Sequence, residues 1–214
     1  MSADLNSAET WHAYAQPRRR DRAVTDEAWI EALLARAPVG TLATVDESGQ
    51  PFLNTNLFVY DPGRHVIYLH TARAGRTRAN VGANERVCFA VSELGRLLPA
   101  ATALEFSVEY AGVVVFGRGA VVIDEAEATT GLQLLLDKYA PHLRPGRDYR
   151  PIQPEELART AVYRITIEAW SGKRKAVPDD FPGAYRYEER AALATRRSED
   201  GVVMRVEQPG DGQV

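Results

Sequence analysis

The sequence predicts a mainly β protein in which six antiparallel strands form a small barrel with flanking helices. Strand-like runs rich in β-branched and aromatic residues follow one another through short connections that contain Gly, Pro or Asp. These runs come in hairpin order, whereas a parallel sheet needs a long crossover, usually a helix, between successive strands. Only two main segments show apolar residues at helical spacing. A small antiparallel barrel is therefore the favoured fold.

The first half of the chain predicts one helix followed by an antiparallel meander. Thr25 is suited to cap this helix, because Asp26 and Glu27 would then lie in its first turn. Pro38 and Gly40 close the helix after its apolar face. The three strands that follow are predicted over residues 39–45, 51–60 and 65–70.

The second half predicts further strands and a second helix. After a strand that begins at Arg86, residues 92–103 contain a proline and are expected to be irregular. Residues 104–123 predict two strands joined by a tight turn near Gly117 and Gly119. The remaining predicted elements are a helix that includes residues 132–139 and a half-buried strand over residues 161–170.

Composition excludes several classes of protein. With 214 residues and 45% hydrophobic residues, the chain can bury a substantial core. Its formal net charge of -3 gives no overall attraction to nucleic acid or to an acidic membrane. Cys88 is the only cysteine, which excludes an intramolecular disulfide framework. The amino terminus lacks the apolar region of a secretory signal, so we expect a soluble cytoplasmic protein.

A basic glycine turn follows the strand that ends at His70. It contains Arg73, Gly75, Arg76, Thr77 and Arg78 in a span of six residues. A short helix that begins near Thr77 would direct its free N–H groups and its positive dipole end toward an anion. The alternative is a solvated basic face. The position directly after a strand favours a phosphate site.

Several segments, in this order, resemble the pyridoxamine 5'-phosphate oxidase-like flavin-binding superfamily, and in particular its nitroimidazole-resistance reductase branch. The similar segments are VGTLATV, DESGQPFLNTNLF, IYLHTARAGRT, NERVCFAV, EYAGVVVFGRGAVV and EAWSGKRK. The resemblance spans residues 22–175, which leaves an N-terminal extension at 1–21 and a C-terminal appendage at 176–214. It implies a split β-barrel homodimer that binds FMN at the subunit interface, with both chains contributing to each site.

The resemblance also assigns roles to the basic turn and its strand. Arg76 and Thr77 become the leading phosphate contacts, since arginine offers a planar fork of donors. Gly75 allows the turn, and His70 and Thr71 lie beside the flavin. His70 is the catalytic candidate, because an imidazole can donate a proton or a hydrogen bond to a substrate. The alternative for His70 is a structural hydrogen bond at the end of a strand.

Two further segments are expected to contact the cofactor. Asn54 and Asn56 would point to one face of their strand and Thr55 and Leu57 to the other, so that one pair can reach the ring or ribityl chain. The alternative places both asparagines toward solvent. At the end of the last strand, Trp170 and Lys173 could close the cofactor site, with Lys173 reaching the phosphate across the interface. The alternatives are core or dimer packing for Trp170 and a solvent-facing position for Lys173. No metal site is predicted.

The resemblance implies an FMN-dependent oxidoreductase that passes electrons from a reduced nicotinamide to a small acceptor, including nitroaromatic compounds. A deazaflavin as electron carrier, a flavin-binding or sensing module without turnover, and a haem-binding protein of the same barrel type with a histidine ligand stay open. The carboxyl end lacks the substrate segment of true pyridoxamine phosphate oxidases, which argues against vitamin B6 oxidation. The HTARAG segment also departs from the HGA-type motif of the nitroimidazole-resistance proteins.

Overall fold

The computed structural model describes residues 7–190 and residue 192. The strands of this part of the chain are β1 (Ala23–Val24), β2 (Gly40–Val45), β3 (Pro51–Asn56), β4 (Phe58–Asp61), β5 (Val66–Ala72), β6 (Arg86–Leu98), β7 (Ser107–Val121) and β8 (Thr160–Lys175). The α-helices are α1 (Ala8–Tyr14), α2 (Glu27–Arg36), α3 (Arg76–Ala83), α4 (Glu125–Tyr139) and α5 (Pro154–Leu157).

All strands of the described residues belong to one antiparallel sheet in the order β3-β2-β6-β7-β8-β5-β4, with β1 paired to β8. The mainly β class with flanking helices is therefore confirmed. Eight strands are found in this part of the chain, two more than the number predicted. The two-residue β1 was not predicted, and the run over residues 51–60 is interrupted at Leu57 and forms both β3 and β4. In the opposite direction, the two strands predicted over residues 104–123 form the single β7.

A long hairpin of β6 and β7 replaces the irregular segment predicted over residues 92–103. β6 continues to Leu98, with a register shift between Leu94 and Leu97. Gly117 does not end a strand either, because it lies inside β7 next to a bulge against β8. A Cβ at Gly117 would lie 2.1 Å from the Thr166 carbonyl oxygen, so glycine is needed for the close approach of two backbones.

The core lies inside the curved sheet and under α2. The α2 helix starts after Asp26, whose side chain accepts a hydrogen bond from the Ala28 N–H, one residue later than predicted. Leu33 and Leu34 from α2 are fully buried. Phe58 and Phe89, from opposite regions of the sheet, meet edge to face with ring centroids 4.8 Å apart. These contacts hold the two halves of the sheet together.

Three other helices cover different parts of the sheet. The α4 helix packs on β4 and β5, where Leu135 and Ala128 are buried against Tyr68. The α1 helix lies in the predicted N-terminal extension and buries Trp11 against β7 and β8. The α3 helix contacts β2 and β7. Along residues 7–190, none of the helices has the length and apolar character needed to span a membrane.

The described part of the C-terminal appendage extends from the end of β8 to a single 3-10 turn at Tyr187–Glu189. Arg96 holds its beginning, since the guanidinium donates to the carbonyl oxygens of Val177 and Asp179. The segment EERAALATRR at residues 188–197 is typical of a short helix, and most of it lies outside the described residues.

Candidate functional site

The basic turn after β5 leads directly into α3, as the sequence predicts. Gly75 caps the helix with φ 145° and ψ 175°, a conformation that residues with a Cβ rarely adopt. Within the described chain, no side chain caps this helix end. The first intrahelical hydrogen bond joins the Ala79 N–H to the Gly75 carbonyl oxygen at 3.1 Å. The N–H groups of the first turn therefore lack helical partners and can bind an anion.

The three arginines of this turn have different environments. Arg73 is tied to the segment before β8, because its guanidinium donates to the Ala158 carbonyl oxygen at 2.6 Å. Arg76 and Arg78 are exposed and form no ion pair with residues 7–190 or 192. The Arg76 guanidinium lies over the Phe52 ring at 5.1 Å, a cation–π contact. Arg76 and Arg78 therefore keep their hydrogen-bonding capacity for a ligand.

Polar side chains fix α3 against the sheet edge. Thr77 is buried, and its hydroxyl accepts a hydrogen bond from the Asn54 side-chain amide at 3.0 Å. The Asn56 amide donates to the Asn54 carbonyl oxygen at 3.1 Å. Deeper in the protein, the Asn80 amide donates to the Thr44 hydroxyl at 2.9 Å, and both residues are only 2% exposed. The first turn of α3 is thus positioned before any ligand binds.

The β3 strand divides its predicted contacts between two faces. Asn54 and Asn56 are half-buried on the face that meets α3. Thr55 is exposed on the opposite face, where its hydroxyl lies 3.0 Å from that of Thr41. Leu57 follows the strand and is 47% exposed. One polar pair of this strand therefore shares a surface with Thr77, as the alternation in the sequence predicts.

His70 and Thr71 also point in opposite directions. The Thr71 hydroxyl lies 3.0 Å from the hydroxyl of the fully buried Tyr163 and donates to the Ala72 carbonyl oxygen. His70 instead lines a cavity of about 350 Å³ together with Leu57. The other lining residues come from α4 and from the segment that follows it: Leu132, Leu135, Leu136, Tyr139, Tyr149, Arg150, Ile152 and Glu156.

This cavity beside His70 is mainly apolar. Leucines of α4 form one wall, and Arg150 and Glu156 form an ion pair at 2.9 Å among the lining residues. Partial burial lowers the pKa of His70 below its ordinary value of 6.5, because desolvation disfavours the imidazolium. The neutral ring therefore dominates at neutral pH. A neutral imidazole can donate one hydrogen bond, accept one, or bind a metal through a ring nitrogen.

Trp170 and Lys173 lie away from this region within one chain. Trp170 packs against the β4–β5 turn, with its ring centroid 4.6 Å from that of His65. His70 pairs with Val162 on β8, so Trp170 is eight residues farther along the strand, roughly 26 Å at the usual rise. Lys173 pairs with Ala23 beyond that point. Within one chain, the length of β8 therefore separates Trp170 and Lys173 from His70.

Among residues 7–190 and 192, no cluster of three or more His, Cys, Asp or Glu residues could hold a metal ion. Cys88 is half-buried on β6, and burial raises the pKa of its thiol.

The sequence did not predict two features that support the site: the hydrogen bond between Asn80 and Thr44, and the cavity wall formed by α4. Asn80 follows Thr77 by three residues, a spacing that places both side chains on one face of a helix. That spacing could have predicted the position of Asn80.

The sequence matches the family model described as pyridoxamine 5'-phosphate oxidase over residues 26–174. No curated protein matches it significantly. A flavocytochrome from Azotobacter vinelandii is similar in structure, with TM-score 0.66 and 23% identity over 92% of this chain and 87% of that chain. An FAD- and haem-binding protein from Mycobacterium smegmatis gives TM-score 0.64 and 24% identity, covering 80% of each chain.

A third similar structure is a 5-nitroimidazole antibiotic resistance protein from Bacteroides thetaiotaomicron. Its TM-score is 0.60 and its identity 19%, with 71% of this chain and 86% of that chain covered. At these identities the three structures establish a shared fold.

Proposed function

The chain belongs to the pyridoxamine 5'-phosphate oxidase family, and from this premise we propose that it is an FMN-dependent oxidoreductase. A reduced nicotinamide, NADH or NADPH, supplies the electrons, and a small molecule, including nitroaromatic compounds, accepts them. The observation that carries the proposal is the uncapped first turn of α3, which presents Gly75, Arg76 and Thr77 beside the amide of Asn54.

The residues of this turn fit a phosphate group. The N–H groups of the first turn and the guanidiniums of Arg76 and Arg78, which form no ion pair within the described part of the chain, supply charge-assisted donors. The helix dipole adds a favourable field. The phosphate end of FMN would therefore be held by Arg76, Arg78 and the first turn of α3. When bound, the flavin supplies hydride acceptance and donation, while the protein supplies orientation and electrostatics.

A homodimer accounts for the distribution of the remaining predicted contacts. Trp170 and Lys173 lie far along β8 from His70, so in this proposal a second chain brings them to the cofactor. The sheet face opposite α3 supports such an interface, because Leu53 is 65% exposed there and Ala90 and Val114 are only half-buried. Asn54 and Asn56 would then contact the ribityl chain or the ring from the first chain.

His70 is proposed to contact the acceptor rather than the phosphate. It faces the apolar cavity, while the basic turn leads away from the same strand end. Since burial lowers the pKa of His70, the neutral ring donates a hydrogen bond to the acceptor and takes part in proton transfer from solvent. The leucines of α4 exclude water around it.

The test is uptake and turnover of flavin by the purified protein. We expect FMN to bind with a flavin absorbance spectrum, to be bleached anaerobically by NADH or NADPH, and to be reoxidised by a nitroaromatic compound. A bound flavin that no nicotinamide reduces would instead indicate a binding or sensing module, or the use of a deazaflavin donor. A protein that takes up no flavin would refute the proposal.

The cavity beside His70 favours haem binding as a second candidate function. Haem needs an apolar pocket, a neutral imidazole ligand and a cation for its propionates. His70 and the leucines of α4 fit the first two needs, and Arg150, which pairs with Glu156 at 2.9 Å, is the cation among the lining residues. The similar protein from Mycobacterium smegmatis binds FAD and haem, which supports the comparison. A Soret band on addition of haemin that His70→Ala abolishes would establish this function, and a spectrum equal to that of free haemin would exclude it.

A further inference from the structure

The ring of Phe52 lies under the guanidinium of Arg76 at the start of α3, with 5.1 Å between the arginine Cζ atom and the ring centroid. Phe52 belongs to β3 and is half-buried, whereas Arg76 is the first residue of α3 and is exposed. The ring comes from the strand at the sheet edge and not from the basic turn itself. The sheet edge therefore supplies the surface on which Arg76 rests.

The pairing of β2 with β3 explains why Phe52 faces α3. Thr44 lies opposite Phe52, and residues directly opposite each other project to the same face of a sheet. The Thr44 hydroxyl accepts a hydrogen bond from the Asn80 amide of α3 at 2.9 Å. Asn54 shares the face of Phe52 and donates to the Thr77 hydroxyl at 3.0 Å. Contacts from one face of β2 and β3 thus fix the ring relative to the first turn of the helix.

An aromatic ring can orient an arginine without neutralising its charge. A carboxylate partner would cancel much of the charge that attracts a phosphate, as in the pair of Arg36 with Glu93 at 2.8 Å. The face of Phe52 offers only the partial negative charge of its π-system. Among the described residues Arg76 forms no ion pair, so its charge stays available. Restriction of the guanidinium before binding also lowers the entropy cost of ordering it on a ligand.

Asp46, an acid whose pKa responds to Arg76, is engaged by its own turn. Its Oδ1 atom accepts hydrogen bonds from the Ser48 hydroxyl at 2.6 Å, the Ser48 N–H at 2.9 Å and the Gln50 N–H at 3.0 Å. The bond from the Ser48 hydroxyl is the main cause that lowers the pKa of Asp46, and the charge of Arg76 is the smallest. Asp46 therefore does not draw the guanidinium away from the ring.

Arg78, the other exposed arginine of this turn, lacks such a support. Within the part of the chain that the structure describes, no aromatic ring lies under its guanidinium. Residues two apart in a helix do not share a face, so Arg78 cannot use the ring that holds Arg76. Phe52 therefore distinguishes the two arginines.

We propose that Phe52 is a positioning residue, which holds Arg76 toward the flavin phosphate and thereby favours phosphorylated flavins over riboflavin. The inference rests on the proposed function, because it assigns the phosphate of FMN to the first turn of α3. Phe52 acts through Arg76 and does not itself contact the phosphate. A phosphate that arrives at this turn then meets a cation that is already in place.

The test is the affinity of Phe52→Leu for FMN and for riboflavin, measured by fluorescence titration of the apoprotein. Loss of an exposed cation–π contact corresponds to a factor of about two to five. The Kd for FMN should rise by that factor, and the Kd for riboflavin should stay unchanged. Phe52→Tyr keeps the ring and should bind FMN as the wild type does. The matched control is Phe106→Leu, the same replacement at a 57% exposed phenylalanine outside β3, which should change neither affinity.

A double-mutant cycle separates positioning from a structural effect of Phe52. In the Arg76→Ala background, Phe52→Leu should cause no further loss of FMN affinity, because the ring then has no guanidinium to hold. Equal weakening of FMN and riboflavin, or the same loss with and without Arg76, overturns the proposal. So does a Phe52→Tyr variant that loses as much affinity for FMN as Phe52→Leu.

A second variant tests the same inference without any change to β3. Since Arg78 has no ring beneath it, Arg78→Ala should weaken FMN binding less than Arg76→Ala does. An equal or larger loss overturns the proposal, even if Phe52→Leu proves too unstable to titrate.

The outcomes also separate this inference from the proposed function. If the protein binds FMN more tightly than riboflavin and turns it over, while Phe52→Leu keeps the wild-type Kd for FMN, only the role of Phe52 is overturned. A protein that takes up neither flavin overturns the proposed function and the role of Phe52 together.

Discussion

Replacement of Arg76 by alanine tests the phosphate site most directly. Arg76 is exposed, its guanidinium lies over the Phe52 ring at 5.1 Å, and its charge is one of the smaller causes that lower the pKa of Asp46. Loss of that contact should cost about 0.5–1 kcal/mol of folding stability, the range for an exposed cation–π pair. The variant should therefore remain folded, and any larger effect on FMN can be assigned to the missing guanidinium.

The expected loss of affinity follows from the hydrogen bonds that Arg76 can make. A hydrogen bond to a charged group contributes about 1.5–3 kcal/mol. Since about 1.4 kcal/mol corresponds to a factor of ten, Arg76→Ala should raise the Kd for FMN roughly 10- to 150-fold. Riboflavin lacks the phosphate, so its affinity should change little.

Fluorescence titration of the apoprotein with FMN and riboflavin provides the assay. Arg73→Ala is the matched control, because Arg73 lies in the same turn but donates to the Ala158 carbonyl oxygen. Arg73→Ala should lower the folding stability more than it lowers the affinity for FMN. If Arg76→Ala keeps the wild-type Kd for FMN, or weakens FMN and riboflavin equally, the phosphate contact is refuted.

Three further predictions concern the support of the site. Gly75→Ala should lower the free energy of unfolding, measured with urea, by about 1–3 kcal/mol and weaken FMN binding, because φ 145° is strained for alanine. Unchanged stability would contradict this expectation. Asn80→Ala should also cost about 1–3 kcal/mol by leaving the buried Thr44 hydroxyl unsatisfied, and Thr44→Val in the same chain should recover part of the loss. The pKa of Glu109 is lowered from 4.5 to about 2 by Arg96, so this pair stabilises the fold above pH 4.5 and the stabilisation disappears as pH falls toward 2. Glu109→Gln should flatten that part of the curve of melting temperature against pH, and an unchanged slope would contradict it.

Local chemistry predicted the α3 turn well. Glycine followed by arginine and threonine after a strand indicates a helix start, and the helix begins at Arg76. The alternation along β3 likewise predicted that Asn54 and Asn56 share a face. Both inferences depend on neighbours within a few residues, where backbone periodicity and turn chemistry determine the structure.

Long-range strand pairing explains the differences from the predicted strands. Gly117 has the appearance of a strand breaker in the sequence, yet it is required by the Thr166 backbone of β8, about fifty residues away. The segment after Val91 was expected to be irregular because Gly95 and Pro99 interrupt it. Its pairing with β7 provides the hydrogen bonds that continue β6 to Leu98. Neither pairing strand lies close enough in the sequence to be recognised from a short segment.

The same limitation applies to the cofactor contacts. The sequence shows that Trp170 and Lys173 follow a strand, but not that this strand is sixteen residues long and continues past the turn at His65 to Lys175. The length of β8 places Trp170 and Lys173 at the end of the sheet opposite His70. In the proposed dimer the partner chain supplies these contacts to one flavin. Dilution tests this expectation: the flavin contacts of Lys173 should be lost when the dimer dissociates, and an affinity for FMN that does not change on dilution would contradict them.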